Sequence, residues 1–339
     1  MEFRFGSLRR FRLAVIIPVI LFALPLFALA GGGQHYPNGV EAMLIGIAPP
    51  PGFYLKDYNY FYHASKLKDN DGNSLSLSKN GVELDKVEVY GNIPRFIWIS
   101  KLNLFGGFYG MHLFVPLIFK QDLDLNVLTP GGTASIGERR GGVGDLIFSP
   151  FIWTWHAKSG LLHMITALDV YIPTGQYNKN NLVNIGKNFW TFEPVFAITG
   201  FLPQHPNLSG SIKLMYDFNT KNNDFLMDGS TAAKVGNPGL AGLETDIRPG
   251  QEFHFDYSIE YALTKNFRAG VTGYFYQQTT NDSTGFGDVK NDKGRVFAIG
   301  PGFWYNYQRW FFDLHAAFET AVRNRPQGYT GLFTITYAF

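Results

Sequence analysis

The stretch Glu252–Thr264 keeps a strict period of two. Phe253, Phe255, Tyr257, Ile259, Tyr261 and Leu263 fall on one face, and Glu252, His254, Asp256, Ser258, Glu260 and Thr264 on the other. A helix would scatter those charges around its whole cylinder, whereas a strand sends successive side chains to opposite faces. The run is about twice the length of an ordinary sandwich strand, about 5–6 residues. It matches a strand that crosses a bilayer at a tilt, about 9–11 residues.

About twelve such runs follow one another, spanning 53–64, 83–102, 104–119, 144–156, 161–173, 188–202, 208–220, 251–264, 266–280, 294–307, 309–324 and 329–339. In 309–324, Trp310, Phe312, Leu314, Ala316, Phe318 and Val322 oppose Asp313, His315, Glu319 and Arg323. Pro94 blurs the phase of 93–99 and suggests a bulge. Connections alternate between tight turns (Asn103, Ala157–Gly160, 203–207, Lys265–Asn266, Gln308) and longer loops (65–82, 120–143, 174–187, 221–250, 281–293). That alternation, with an even strand count, predicts an all-β fold: a transmembrane antiparallel up-and-down barrel over 53–339. The final run, Tyr329–Phe339, alternates and ends on Phe, like the C-terminal insertion signal of bacterial outer-membrane barrels; it is expected to close the sheet against 53–64.

The N-terminal 30 residues read as a signal peptide. Arg4, Arg9, Arg10 and Arg12 precede an apolar run from Leu13 to Leu29 that ends Ala28-Leu29-Ala30. Pro18 and Pro25 interrupt that run, which disfavours an anchor helix. Removing its four Arg and one Glu from the full 29 basic and 27 acidic residues leaves 25 and 26, a net charge of −1. Such a balance argues against a nucleic-acid partner. The chain has no Cys, so disulfides and thiolate metal sites are excluded. Aromatics at 17% and charged residues at only 17% suit strands with one face in lipid.

Residues 31–52 stand apart. They hold an apolar island around Met43, Leu44, Ile45 and Ile47 and end on Pro49-Pro50-Pro51-Gly52, which cannot sit in a paired central strand. Such an island is poorly placed in water. It is expected to fold into the lumen and plug it.

Tyr36-Pro37-Asn38-Gly39, Pro49 to Tyr54, the run Tyr58-Asn59-Tyr60-Phe61-Tyr62, Gly142-Val143-Gly144-Asp145-Leu146, Tyr171 to Gly175 and Gly300-Pro301-Gly302 carry a resemblance in their order and spacing. With them the chain resembles the meta-pathway phenol-degradation family of Gram-negative outer-membrane proteins, which includes the sphingosine-induced porin-like proteins. The resemblance spans almost the whole mature chain. It implies a channel for uptake of aromatic or other hydrophobic small molecules. The expected partners are outer-membrane lipid and lipopolysaccharide, a small hydrophobic ligand and the barrel-assembly machinery.

Alternation places Glu88, His112, Asp169, Glu193, Lys213, Asp217, His254, Asp256, Glu260, Arg268, Asp313, His315, Glu319 and Arg323 inward, as a polar path or as a salt-bridged interior. Phe108, Phe114, Tyr171, Tyr274, Tyr276 and Trp304 are expected to give the lumen apolar, stackable surface. No cofactor and no metal are expected: His254 and Asp256, or Asp313 and His315, share a strand face as a solvated pair would. His63 and Ser65 have the spacing of a nucleophile and its base, but the sequence identifies no residue to orient them. Competing readings are a narrow porin for hydrophilic solutes and an adhesive barrel acting through loops 65–82, 120–143 and 221–250.

Overall fold

The computed structural model describes residues 34–339; the expected signal peptide lies outside the described residues. The strands are β1 (Gly52–Leu67), β2 (Val82–Leu104), β3 (Gly107–Phe114), β4 (Leu117–Thr129), β5 (Gly132–Val143), β6 (Leu146–His156), β7 (Leu162–Ile172), β8 (Thr191–Leu202), β9 (His205–Asn219), β10 (Asn222–Leu226), β11 (Glu244–Arg248), β12 (Glu252–Ala262), β13 (Phe267–Gln278), β14 (Ser283–Thr284), β15 (Gly287–Asp288), β16 (Arg295–Tyr307), β17 (Trp310–Arg323) and β18 (Pro326–Ala338). Twelve of them form a closed antiparallel ring, β1-β2-β3-β6-β7-β8-β9-β12-β13-β16-β17-β18. β1 closes it by pairing with β18 on one side, Tyr54 opposite Ala338 through Leu67 opposite Pro326, and with β2 on the other. Every strand of the ring therefore has a partner on both sides, the arrangement a bilayer demands of backbone N–H and C=O groups.

The alternation holds in the packing. On β12, Glu252, His254, Asp256, Ser258 and Glu260 are buried inside the ring, while Ile259 and Tyr261 face out. On β9, Ser209, Ser211, Lys213 and Asp217 point in and Phe218 points out. The outward side chains form an apolar belt that includes Phe96, Phe196, Ile259, Val271, Ile299, Leu314 and Phe333. Aromatic rings gather at its two borders. Trp310 meets Tyr337 at 4.6 Å and Phe53 stacks on Trp98 at the short-turn end; Phe318 and Phe61 meet Tyr329 at the other. These are the interfacial girdles of an outer-membrane barrel. At the short-turn end the hairpin expected at Asn103 turns instead on Phe105 and Gly106, both at positive φ (53° and 80°), as a two-residue hairpin loop requires.

The structure corrects the sequence reading in four places. Residues 120–143 are not an open loop: β4 and β5 form a hairpin that continues the sheet outward from the upper half of β2. Its inner face, Leu123 and Leu125, packs on Leu84, Val87 and Val183. The run expected at 104–119 accordingly stops at Phe114. Pro94 marks no bulge, since the β1–β2 register passes unbroken from Ile93 to Arg95. Instead β2 changes partner there, pairing with β4 up to Asn92 and with β3 from Arg95. Glu88 faces outward, because it sits opposite His63 while its neighbours Val87 and Val89 pack inward; it pairs with Lys120. Finally, the loops 221–250 and 281–293 hold a small second sheet, β10-β11-β14-β15, and a helix, α1 (Gly229–Val235), capped by Asp228. The long-loop end of the barrel carries a folded cap.

Candidate functional site

Residues 34–51 run inside the ring, where the inward carboxylates hold their backbone. Asp256 accepts from the Tyr36 hydroxyl at 2.5 Å, from the Gly39 amide at 3.0 Å and from the Glu41 amide at 3.3 Å. Glu260 accepts from the Leu44 amide at 2.9 Å, and the Thr199 hydroxyl from the Gly46 amide at 2.8 Å. Asp313 lies 3.5 Å from the Met43 amide and 2.5 Å from His315, whose other ring nitrogen bonds the Gly39 carbonyl at 2.7 Å. A segment with no sheet or helix of its own needs partners for its buried amides, and β12 and β17 supply them. Higher up, His35 bridges Asp145 (2.9 Å) and Thr191 (2.8 Å) and stacks on Tyr171.

Glu41 is the segment's own charged contribution. It accepts from Lys56 (2.8 Å), Tyr58 (2.7 Å) and Arg95 (2.7 Å), so two cations of the wall close on one acid. Close approach fixes the rest. A Cβ on Gly46 would fall 2.4 Å from the Thr199 nitrogen, and one on Gly302 would fall 2.5 Å from Thr272 and 3.1 Å from the Met43 methyl. Gly302 of the Gly300-Pro301-Gly302 motif thus makes room for the segment.

The lumen is two-sided. Asp256 and Glu260 of β12 and Asp313 and His315 of β17 turn to the segment. Facing them, β2, β6, β7 and β8 contribute the inward apolar side chains Ile97, Ile99, Ile152, Ile165, Ala167, Val195 and Ala197. The segment lies between the two walls and leaves a cavity of about 420 Å³ on the apolar side. Its other walls are Met43, Leu44, Ile45 and Ile47 of the island, with Trp304 and Phe311. Polar groups, Glu41, Lys56, Arg95, His112, Asp169 and Lys213, also line it. His112 Nε2 stands 3.0 Å from Asp169, and its other ring nitrogen accepts from Arg95 at 2.8 Å. The volume and the lining are those of a small-molecule site: mostly apolar walls with a few convergent polar groups.

The residues singled out from sequence divide accordingly. His112, Lys213 and Trp304 line this cavity. Phe114 and Tyr171 line a separate small cleft with Tyr36 and Val40. Asp256, Glu260, Asp313 and His315 hold the segment instead of a solvated path. Tyr274 is buried and donates to Glu319 at 2.9 Å. Arg268 bonds Ser209 at 2.7 Å and the Asn207 carbonyl near the short-turn end. Phe108 is cross-strand from the buried Thr154, on the inward face of β3, but outside the cavity lining. Arg323 is not in the lumen. Ala321 takes a left-handed φ of 51° and the β16–β17 register slips there, so Val322 turns inward and Arg323 outward.

Sequence reasoning passed over the apolar wall. On β8 the inward Val195 and Ala197 stand against the outward Phe192 and Phe196, so this stretch is apolar on both faces and its phase is set only by the flanking Glu193 and Thr199. The crowding of small apolar residues on one side of β7 and β8 was the available signal. The His63–Ser65 pair lies on the outer surface. Glu88 is 3.5 Å from His63, a partner invisible in sequence, and Ser65 is the extra residue of a bulge between Ala64 and Lys66.

The family described as "Putative MetA-pathway of phenol degradation" matches residues 64–335. No curated protein matches the chain significantly. Among solved structures, an outer membrane channel from Pseudomonas putida F1 is 13% identical, covers 90% of this chain and 100% of its own, and superposes with a TM-score of 0.66. That likeness extends the outer-membrane barrel fold over nearly the whole molecule. A variant of the monoaromatic hydrocarbon channel TodX is 10% identical over 89% of this chain and 93% of its own, TM-score 0.46. A Pseudomonas aeruginosa FadL homologue is 10% identical over 91% and 96%, TM-score 0.42.

Proposed function

The chain belongs to the MetA-pathway phenol-degradation family, and we propose that it is an outer-membrane channel through which small hydrophobic or aromatic molecules diffuse. The observation that carries this reading is the two-sided lumen. A porin for sugars or ions needs a wetted, polar path; here much of the polar wall is engaged with the inner segment, and the space left over is lined mainly by apolar side chains. A hydrophobic solute leaving the lipopolysaccharide layer would exchange water for contact with Ile97, Ile152, Ile165 and Val195, stabilised by about 25 cal/mol per Å² of apolar surface removed from water. Trp304 and Phe311 offer aromatic surface on the opposite side.

In this reading residues 34–51 plug the lumen against polar solutes while forming part of the hydrophobic path. On the same reading the barrel performs no chemistry, and His63, Glu88 and Ser65 lie on its outer surface, away from the lumen.

Substituting Ala197→Trp tests the reading, since it fills the cavity from its apolar wall without replacing a residue that bonds the segment. In a strain lacking the channel, wild-type protein should restore uptake of a labelled monoaromatic such as toluene, and Ala197→Trp should lower the rate at least about tenfold at equal surface abundance. Equal uptake by the two proteins overturns it. Swelling of proteoliposomes in small sugars by the wild type would favour a hydrophilic porin instead.

A further inference from the structure

Beside the start of the inner segment, three neighbouring strands aim one ligand-type side chain each at a common point: Glu193 from β8, Asp217 from β9 and His254 from β12. Their donor atoms all lie within 4.8 Å of one another. All three side chains are at most 1% exposed. The His254 Nε2 stands 3.3 Å from Asp217 Oδ1 and 3.5 Å from Glu193 Oε2. A charge-assisted N–H···O bond would be about 2.7–2.9 Å. Neither His254 nitrogen has a hydrogen-bond partner among the described residues, nor has either Asp217 oxygen.

Unpaired carboxylates at this depth cost several kcal/mol each. Lys213 lies 4.5 Å over the Tyr36 ring. Glu252, directly cross-strand from Asp217 and fully buried, adds a further carboxylate with both oxygens unpartnered. The spacing itself is informative. Ligands bonded at about 2.0–2.1 Å in a tetrahedron sit about 3.3–3.4 Å apart, close to the 3.3 and 3.5 Å that separate His254 from Asp217 and Glu193.

We propose that Glu193, Asp217 and His254 form a site for one divalent transition-metal ion, of which zinc fits the donor set best. One imidazole with two carboxylates suits zinc, whereas calcium and magnesium prefer all-oxygen shells. Two carboxylates neutralise the ion, so the buried site carries no net charge with His254 neutral. The Tyr171 hydroxyl donates to Glu193 Oε2 at 3.1 Å and orients it from behind, as outer partners of metal ligands do. The ion staples β8, β9 and β12 at the outer end of the lumen. His254 also lies against Tyr36, ring centroids 5.2 Å apart, so the staple touches the inner segment.

The test uses the full-length barrel in detergent, stripped with a chelator and dialysed against zinc alone. Elemental analysis should find one zinc per chain in the wild type and in His163→Ala, which removes the surface pair His156–His163 at the short-turn end. His254→Ala and Asp217→Asn should each weaken binding more than about tenfold, with barrel folding confirmed by heat-modifiable gel mobility. Absence of bound zinc in the wild type, or wild-type binding in folded His254→Ala, overturns the proposal. Should both variants fail to fold, X-ray absorption at the zinc edge of the wild type decides. Four nitrogen and oxygen ligands including a single imidazole are expected. Two imidazoles, or a six-coordinate aqueous shell, overturn it.

Discussion

Asp256 illustrates how much one side chain can organise. Its two oxygens hold a hydroxyl and two amides of a segment more than two hundred positions earlier in sequence. Each hydrogen bond to a charged group contributes about 1.5–3 kcal/mol, and an abandoned buried amide costs more. Asp256→Ala is therefore expected to loosen the segment by roughly 2–5 kcal/mol while leaving the ring intact. Single-channel recordings should change from a quiet baseline to frequent brief openings; an unchanged baseline would show that other anchors suffice. The sequence announced that Asp256 points inward, because its strand alternates without interruption. It gave no hint of the partner, since a carboxylate waiting for backbone amides looks the same as one waiting for water. Arg323 failed differently. A single left-handed residue, Ala321, shifts the phase by one, and nothing in Ala321 marks it as the site of a slip.

At the scale of elements, the long runs were legible because a membrane-crossing strand repeats its alternation often enough to fix its register. The hairpin β4–β5 was not. Its turn, Pro130-Gly131-Gly132, and its alternating Leu123, Leu125 and Val127 are visible in sequence, but length and polarity made the stretch resemble a surface loop. The small sheet of the cap was hidden for another reason: its strands are short and pair between distant loops. Asp292 links them, buried beside Lys234 of α1, with which it forms an ion pair. Burial pushes its carboxyl up to about 6, the nearby Lys234 opposing this only in part; burial likewise raises Asp228 and Asp282 of the same cap. A carboxyl whose folded pKa is raised adds stability that is complete below its unfolded value of about 3.9 and is lost as pH rises through the folded one. The cap should thus be tighter in acid. Hydrogen exchange in β10 and β11, corrected for intrinsic rates, is expected to be slower at about pH 4.5 than at about pH 7.5. Asp292→Asn should narrow that difference, and exchange that quickens on acidification would contradict the assignment.

For the whole molecule, the decisive partition is between the outward belt and the inward polar rows. Ile259 and Val271 face each other across β12 and β13 on the outer surface. Ile259→Arg should cost about 2–4 kcal/mol where that pair meets the middle of the bilayer. Urea unfolding of the barrel in lipid vesicles measures this; a cost near zero would mean that the belt is not in lipid. The partition was readable from the sequence to the extent that one face of a strand was charged. Where a stretch is apolar on both faces, as around Val195–Ala197 of β8, its phase has to be carried in from the polar residues on either side.

The carboxylates of β12 and β17 have a consequence for electrical behaviour. While residues 34–51 are seated, Asp256, Glu260 and Asp313 are covered and exert little field on an ion in the bath. Taken away by deletion of 34–49, the same row would line a wetted pore on one side with negative charge. The truncated barrel should conduct more current than the intact one and should prefer cations, read as a shifted reversal potential in a salt gradient; unchanged conductance would mean that the segment seals nothing. The inner segment is then an insulator as well as an obstacle. It keeps an oil-accepting passage from doubling as a leak for ions.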